Sequence, residues 1–172
     1  MIKVDLSRCT GCRQCETACA FYHTGRVGTD FSRIKVTHIY ETGIDGPVVC
    51  IQCKERYCLK CPEEALTLGS MGQVLASPTL CQGCATCEIR CPTGAITLFE
   101  GIVYVCDLCG GDPWCVKVCN QGAIKYIPES SEEVSLRAIK KDSARKNPSE
   151  KRRQYVEKMG REIRKKWGTN LG

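Results

Sequence analysis

Four short runs of cysteine constrain the fold of this chain more than any other feature of its sequence. The third run occupies residues 81–92 and reads CQGCATCEIRCP, so its cysteines are separated by two, two and three residues and a proline follows. Three thiolates spaced in this way on one loop reach three irons of a [4Fe-4S] cube, and the fourth points away from that loop. The runs use all 16 cysteines of the 172 residues. They comprise Cys9, Cys12, Cys15 and Cys19; Cys50, Cys53, Cys58 and Cys61; Cys81, Cys84, Cys87 and Cys91; and Cys106, Cys109, Cys115 and Cys119.

The first and third runs are copies of one motif, C-x-G-C-x2-C-E-x2-C, displaced by 72 positions. Gly11 corresponds to Gly83, and Glu16 corresponds to Glu88. The second and fourth runs are looser, with four and five residues before the third cysteine. Internal repetition at a fixed displacement indicates a duplicated structural unit. We therefore predict two copies of a two-cluster unit, in which a tight run alternates with a looser one.

Disulfides and zinc are the alternative uses of so many cysteines. No signal peptide is recognisable before Cys9, so export to an oxidising compartment has no support. Zinc sites usually take two C-x2-C pairs separated by a spacer, and a third cysteine two residues further on is surplus to such a site. Iron–sulfur ligation is the interpretation that leaves no cysteine over.

Few residues are available for an ordinary hydrophobic core. Aromatic residues make up only 6% of the chain, so we expect clusters to substitute for a core, as metal sites do in small domains. No run of about 18 apolar residues exists, which predicts no membrane span, and no twin-arginine segment precedes the first run. These features predict a cytoplasmic protein whose apo form is largely unfolded.

The net charge of +6 is confined to one end of the chain. Residues 130–172 hold 13 Lys and Arg against 6 Asp and Glu, which leaves 12 against 13 in residues 1–129. Each oxidised cluster with four thiolates adds about two negative charges, so the pI gives no case for nucleic-acid binding. We predict a four-cluster domain at residues 1–128 and a basic helical extension at residues 129–172.

Short strands and turns are predicted between the runs, and the predicted fold class is α+β. Alternating apolar residues predict a strand at 33–41, followed by a turn at 42–47 and by Val48-Val49, which enters the second run. Together they form a β-hairpin inserted between the first two runs. This hairpin could brace the sheet or offer an edge to a partner. Further strands are predicted at 1–5, 65–68, 73–75, 94–98, 102–105 and 122–127. His23, one of two histidines in the chain, is predicted to be a surface or hydrogen-bonded residue, since an isolated histidine is seldom a ligand.

The extension contains one predicted amphipathic helix. Asn147 caps it, Pro148 takes its first position and Gly168 ends it. Its apolar residues recur about every four positions and form a single stripe. The stripe could pack on the chain's own cluster domain or dock onto a larger partner, and the pattern does not decide between them. The candidate partner-binding residues are Tyr155, Met159, Ile163 and Trp167.

The four runs resemble those of the four-cluster electron-transfer subunits of molybdenum and tungsten oxidoreductases, formate dehydrogenases and hydrogenase complexes. The resemblance lies in the order of the runs and in the Gly and Glu residues that accompany their cysteines. The small size and basic tail look most like the small subunit of a tungsten-containing aldehyde oxidoreductase. The resemblance covers about residues 1–128. It implies a duplicated bacterial-type 2[4Fe-4S] ferredoxin fold with an inserted β-hairpin and a C-terminal helical tail.

The resemblance also implies four [4Fe-4S] clusters in a crossed ligation scheme. Run one pairs with run four, and run two pairs with run three. The chain departs from the usual pattern at the short interval from Cys58 to Cys61, and at Ala20 and Asn120, where proline often follows the last cysteine. The implied sets are Cys9, Cys12, Cys15 and Cys119 (cluster 1); Cys106, Cys109, Cys115 and Cys19 (cluster 2); Cys50, Cys53, Cys58 and Cys91 (cluster 3); and Cys81, Cys84, Cys87 and Cys61 (cluster 4).

The implied function is electron relay by a non-catalytic subunit. One end of the relay would face a larger catalytic subunit, with a tungsten or molybdenum pterin, and the other would face a ferredoxin or a flavin subunit as acceptor. No dinucleotide fingerprint, P-loop or radical-SAM motif is present. The alternatives are a free-standing polyferredoxin carrier, an iron–sulfur subunit of a hydrogenase or formate dehydrogenase complex, and, least favoured, a redox sensor or nucleic-acid-binding protein.

Overall fold

The computed structural model describes the backbone of residues 1–128 and 134–169, and the side chains of those ranges up to residue 163. The strands are β1 (Ile2–Val4), β2 (Ile34–Ile39), β3 (Ile44–Val49), β4 (Leu66–Leu68), β5 (Val74–Ala76), β6 (Thr97–Phe99), β7 (Ile102–Tyr104) and β8 (Ile124–Tyr126). The α-helices are α1 (Gln14–Thr24), α2 (Thr86–Arg90), α3 (Trp114–Lys117), α4 (Arg137–Ser143) and α5 (Pro148–Thr169). Single turns of 3₁₀ helix lie at Leu6–Arg8, Thr29–Phe31, Tyr57–Leu59 and Leu108–Gly111.

The strands form two-stranded antiparallel ladders that join β1 to β8, β2 to β3, β4 to β5 and β6 to β7. The β1–β8 ladder connects the two ends of the cysteine-bearing region, with Ile2 opposite Tyr126 and Val4 opposite Ile124. The first cysteine run follows β1, and the fourth run precedes β8. The ladder therefore brings these two runs together, and α1 contacts α3 beside them.

The hairpin of β2 and β3 corrects one sequence prediction. A turn is predicted at 42–47, whereas residues 44–47 belong to β3 and pair with β2. Gly46 lies where neighbours approach closely, because a Cβ there would sit 2.5 Å from Leu6 Cδ2 and 3.1 Å from the methyl carbons of Val156. Pro47 is accommodated because β3 is an edge strand. The other strands fall within the predicted stretches, apart from β5 and β6, which each extend one residue further.

Helices α1 and α2 occupy equivalent places in the repeat but differ in length. Each begins after a residue with left-handed backbone, Arg13 at φ 60° and Ala85 at φ 59°. Helix α2 stops before Cys91, which is extended at ψ 117°, because the ring of Pro92 disfavours helical backbone in the residue before it. The first run has Ala20 at the equivalent place, and α1 continues past it.

Two apolar cores lie inside the cysteine-bearing region, and cysteines are part of both. One core contains Cys15, Cys19, Cys106 and Cys115 together with Ile2, Ile34, Val36, Val49, Leu108 and Ile124. The other contains Cys58, Cys87 and Cys91 together with Ile39, Ile44, Val48, Leu66, Val74, Ala95, Ile96, Val103, Val105 and Val156. Each of the four runs therefore contributes at least one cysteine to an apolar core.

Helix α5 lies against the β2–β3 hairpin of its own chain. A capping box starts it: the Asn147 N–H donates to Glu150 Oε2 at 2.8 Å, and the Glu150 N–H donates to Asn147 Oδ1 at 2.9 Å. Val156 is buried, and Gly160 lies so close to the hairpin that a Cβ would sit 2.5 Å from Ile44 Cδ1. No helix in the described parts of the chain is both long enough and apolar enough to cross a membrane.

The predicted stripe of α5 is divided between the chain's own core and solvent. Tyr155 is half-buried and packs against the second core. Met159 is 45% exposed, and Ile163 is half-buried. The side chain of Trp167 lies outside the described residues. The own-chain alternative thus accounts for Tyr155, and a partner contact at the remaining positions stays a prediction.

Candidate iron–sulfur centres

The four cysteine runs share one backbone feature that the sequence motif only half reveals. The residue before the second cysteine has a positive φ in every run: Gly11 (68°), Gln52 (53°), Gly83 (66°) and Leu108 (62°). This turn directs amide groups at the first sulfur. Burial raises the pKa of Cys9, Cys50 and Cys106, and the N–H groups of Gly11, Gln52 and Leu108 oppose that rise. Such N–H···S donation is how a ligand loop stabilises thiolates and an anionic cluster.

The two tight runs have glycine at this position because space is also short. A Cβ at Gly11 would lie 2.6 Å from Asp45 Oδ2. A Cβ at Gly83 would lie 3.1 Å from the carbonyl oxygen of Gly101. In the looser runs Gln52 and Leu108 take the same turn with larger side chains, so the tight approach is particular to the repeated motif.

The glutamate of the repeated motif has the same task in both copies. The Val36 N–H donates to Glu16 Oε1 at 2.8 Å, and the Leu98 N–H donates to Glu88 Oε1 at 2.8 Å. Each carboxylate thus ties its ligand helix to a neighbouring strand. Glu16 is only 2% exposed, and burial raises its pKa, although the Val36 N–H and Arg13 lower it. The motif glutamates position the loops.

Cys9, Cys12, Cys15 and Cys119 line a common cavity of about 120 Å³. Burial raises the pKa of Cys9, and thiolates at Cys12 and Cys119 raise it further. Cys12 is exposed, whereas Cys15 is buried. The structure therefore brings the first three cysteines of run one to the last cysteine of run four.

Cys19, Cys106, Cys109 and Cys115 form a second group. Burial raises the pKa of Cys115 to about 12, with further contributions from thiolates at Cys19 and Cys109. Cys106 is buried and adjoins both Cys115 and Cys19. The backbone N–H of Arg33 donates to Cys19 Sγ at 3.3 Å.

Cys50, Cys53, Cys58 and Cys91 line a second, smaller cavity. Burial raises the pKa of Cys58 to about 12, and thiolates at Cys91 and Cys53 add to the rise. Cys91 Sγ lies 3.5 Å from Thr93 Oγ1. Three cysteines of run two thus meet the last cysteine of run three.

Cys61, Cys81 and Cys87 are also neighbours. Burial raises the pKa of Cys87 to about 11, and thiolates at Cys61 and Cys81 contribute to the rise. Cys84 lies on the same loop, is exposed, and has its Sγ 3.3 Å from Thr86 Oγ1. The short interval from Cys58 to Cys61 begins within a 3₁₀ turn at Tyr57–Leu59. Such a turn has about three residues per turn, tighter than an α-helix.

Cysteines of neighbouring groups share the apolar cores: Cys15 and Cys115 lie in one core with Cys50 packed against it, and Cys58 and Cys87 lie in the other. Burial raises the pKa of Cys15, and a thiolate at Cys115 raises it further. In addition to burial, a thiolate at Cys50 raises the pKa of Cys106, and a thiolate at Cys87 raises the pKa of Cys58. The groups follow one another from the one that contains Cys12 to the one that contains Cys84, and these two end cysteines are the exposed ones.

His23 touches the second group, which the sequence does not suggest. His23 Nε2 lies 3.6 Å from Cys109 Sγ and 3.6 Å from Asp107 Oδ1, and Arg33 pairs with the same carboxylate. Burial and Arg33 lower the pKa of His23, whereas Asp107 raises it. The three side chains of His23, Asp107 and Cys109 are close enough to share an ion. Because His23 and Cys109 are 86 residues apart, no local pattern could have predicted the contact.

The donor set of each group suits a [4Fe-4S] cluster. All 16 cysteines are free thiols. Burial and mutual repulsion raise the pKa of most of them, so a group of four thiolates is stable only with cations between its members. Soft thiolate ligands in fours are the set that iron–sulfur clusters take. The groups therefore define a ferredoxin-type iron–sulfur protein.

Comparison with known proteins gives the family. Residues 1–24 and residues 76–97 each match a family model described as "4Fe-4S binding domain". The polyferredoxin-like subunit of an aliphatic sulfonate oxidoreductase from Pyrococcus furiosus is 35% identical over 133 residues, which cover 73% of this chain and 76% of that one. A subunit of the anaerobic dimethyl sulfoxide reductase of Escherichia coli is 32% identical over 146 residues, which cover 73% of this chain and 71% of that subunit.

Other similarities cover smaller parts of larger proteins, or concern structure. The beta subunit of an NADH-dependent phenylglyoxylate dehydrogenase from Aromatoleum evansii is 37% identical, but the match spans 73% of this chain and only 30% of that subunit. Among solved structures, one polypeptide of the active-site complex BamBC of benzoyl-coenzyme A reductase matches with a TM-score of 0.44 and 26% identity. That match spans 73% of this chain and 74% of the other.

This protein belongs to the ferredoxin-like iron–sulfur electron-transfer subunits of oxidoreductases. It is not a catalyst by itself. Its task is electron transfer on clusters of the [4Fe-4S] type, the type that both matching family models describe.

Proposed function

We propose that the chain relays single electrons through four [4Fe-4S] clusters between a catalytic oxidoreductase subunit and an external acceptor. The observation that carries the proposal is the row of four cysteine groups with an exposed cysteine at each end. One-electron carriers in sequence conduct through protein when each lies near the next. Exposed ends give two partners access to the two terminal clusters.

The ligand sets of this proposal are the crossed ones. The close approach of Cys119 to Cys9 and of Cys91 to Cys58 supports them, as does the β1–β8 ladder that joins the first run to the fourth. They correspond to a duplicated 2[4Fe-4S] ferredoxin fold at residues 1–128, with the β2–β3 hairpin inserted and residues 129–172 as the basic extension. A reducing, cytoplasmic location belongs to the proposal, because disulfide formation would remove the ligands.

The proposed catalytic partner is a larger subunit with a tungsten or molybdenum pterin. The four-run pattern and the similarity to subunits of a sulfonate oxidoreductase and a dimethyl sulfoxide reductase support a partner from the oxidoreductases. The proposed acceptor is a ferredoxin or a flavin subunit.

Anaerobic purification of the untagged native protein tests this proposal. Metals are measured across the whole eluted complex, and we expect tungsten or molybdenum to co-elute with a large second polypeptide. Nickel in that complex would move the assignment to a hydrogenase. Iron alone on a monomer would contradict the subunit proposal.

A free-standing polyferredoxin carrier is the second candidate, and the placement of α5 favours it. Val156 is buried and Tyr155 is half-buried against the chain's own core, so much of the apolar stripe is already covered. The same purification separates the two candidates. A carrier elutes without a large partner, whether or not residues 147–172 are present.

A further inference from the structure

Three cations of the basic extension converge on one end of helix α2. Lys151 Nζ donates to the carbonyl oxygens of Ile89 at 2.7 Å and Glu88 at 3.3 Å. Lys140 Nζ donates to the carbonyl oxygen of Arg90 at 2.9 Å. Arg152 Nη1 donates to the carbonyl oxygen of Gly94 at 3.0 Å. These carbonyls flank Cys91, which follows directly after α2 and belongs to the group with Cys50, Cys53 and Cys58.

Lys151 is unusual because it is only 1% exposed. Within the described residues no carboxylate forms an ion pair with it, and its Nζ donates to backbone carbonyls instead. Burial lowers the pKa of Lys151, whereas a thiolate at Cys91 raises it. Burying an ammonium group is costly unless an opposite charge compensates it. A cluster held at Cys91 supplies that opposite charge.

Lys140 reaches the same place from α4. Its Nζ lies 5.2 Å from the centre of the Tyr57 ring, and Tyr57 precedes Cys58 in the sequence. Burial lowers the pKa of Lys140, and a thiolate at Cys91 raises it. Two ammonium groups from separate helices of the extension therefore approach one cysteine group.

We propose that Lys140 and Lys151 set the reduction potential of the cluster held by Cys50, Cys53, Cys58 and Cys91. A cluster with four thiolates goes from about −2 to about −3 when it accepts one electron. A fixed positive charge nearby stabilises the more negative, reduced state more than the oxidised state. The extension thereby raises the potential of this cluster relative to the others and acts as a potential-setting element. The inference rests on the proposed four-cluster relay.

Potentiometric titration of the reconstituted full-length protein, followed by electron paramagnetic resonance with dithionite as reductant, tests the inference. Lys151→Met removes the charge and keeps a long unbranched side chain. We expect one of the four potentials to fall and the other three to stay unchanged. Lys158→Met, on the exposed face of the same helix, is the matched control and should shift none.

Lys140→Met provides a second variant, because Lys140 is only half-buried and its loss disturbs packing less. It should lower the same potential, and Lys140→Arg, which keeps the charge, should leave that potential near its original value. Cys91→Ser identifies the cluster, since the signal that it perturbs should be the one shifted by the lysine variants. If the Lys151→Met protein does not load iron, the Lys140→Met protein tests the inference instead, by whether one potential falls while the other three stay unchanged.

Iron content separates failure of this inference from failure of the relay proposal. Unmodified protein with clearly fewer than about 16 irons per molecule would overturn the relay itself. Full iron with unchanged potentials in the charge-removal variants would overturn only the potential-setting role. A similar fall of all four potentials would also overturn it, because a local charge at one cluster group cannot shift four clusters equally.

Discussion

At the scale of single residues, the ligand loops depend on a left-handed turn before the second cysteine. Gly11, Gln52, Gly83 and Leu108 all adopt it. A left-handed backbone costs a residue other than glycine about 1–2 kcal/mol. The tight runs avoid that cost with glycine, and they also use the space that glycine leaves. All four runs therefore need a residue that adopts the left-handed turn at this position, and the two tight runs also need one without a side chain.

Gly83→Ala should weaken its loop by more than the cost of the turn alone. The new Cβ lies 3.1 Å from the carbonyl oxygen of Gly101, at φ +66°. Gly25→Ala is a matched control, because Gly25 has φ +66° with nothing within 4 Å. We expect Gly25→Ala to lower the free energy of unfolding of the iron-loaded protein by about 1–2 kcal/mol, and Gly83→Ala to lower it further. Denaturant titration followed by cluster absorbance measures both, and equal losses would contradict a role for close approach.

The cysteines are predicted from sequence as ligands because their spacing itself reflects the geometry that a cluster requires. The repeated glutamates were visible in the motif, but their hydrogen bonds to Val36 and Leu98 were not, since the partners lie 20 and 10 residues away. The sequence predicts no contact between His23 and a cysteine group, because its neighbour Cys109 lies 86 positions away. Residues that act through backbone carbonyls, such as Lys151, leave no pattern at all.

At the scale of elements, the sequence predicted where strands and helices occur better than where they pack. Alternating apolar residues located β2, and Asn147-Pro148 located the start of α5. A turn is predicted at 42–47, yet residues 44–47 pair with β2 as part of β3, and Leu6 and Val156 lie close to Gly46 in this strand. That approach involves segments remote in sequence. The apolar stripe of α5 likewise could not specify whose surface it covers.

Tyr155 makes the docking of α5 sensitive to high pH. Burial raises the pKa of Tyr155 above its usual value near 10, so folding favours the neutral phenol. This contribution to stability is complete below about pH 10 and is lost as the pH rises through the higher value of the folded protein. We expect Tyr155→Phe to lose less stability than the unmodified protein over the range from about pH 10 upward.

Tyr40→Phe is the control for that comparison, because Tyr40 is 86% exposed. The urea midpoint of the iron-loaded protein, measured anaerobically by far-ultraviolet circular dichroism, reports the effect. Tyr40→Phe should behave like the unmodified protein. If Tyr155→Phe also follows the unmodified protein over this range, Tyr155 does not couple α5 to the core.

At the scale of the whole molecule, the cysteine groups and the apolar residues form common cores. Each apolar cluster includes cysteines, and the β1–β8 ladder closes the cysteine-bearing region on itself. The sequence predicted the number of groups from its cysteine count. Their order followed only from the structure, since it depends on which runs lie side by side. That order gives the proposed relay two exposed ends and two inner sites.

The most direct test of the four-cluster relay is a reductive titration of the iron-loaded protein under anaerobic conditions. Electrons are added stepwise from a low-potential reductant, and bleaching of the cluster absorbance is followed to its end. Four one-electron clusters predict an uptake of about four electrons per molecule. An endpoint at about two electrons per molecule, in protein with its full complement of iron, would contradict the account.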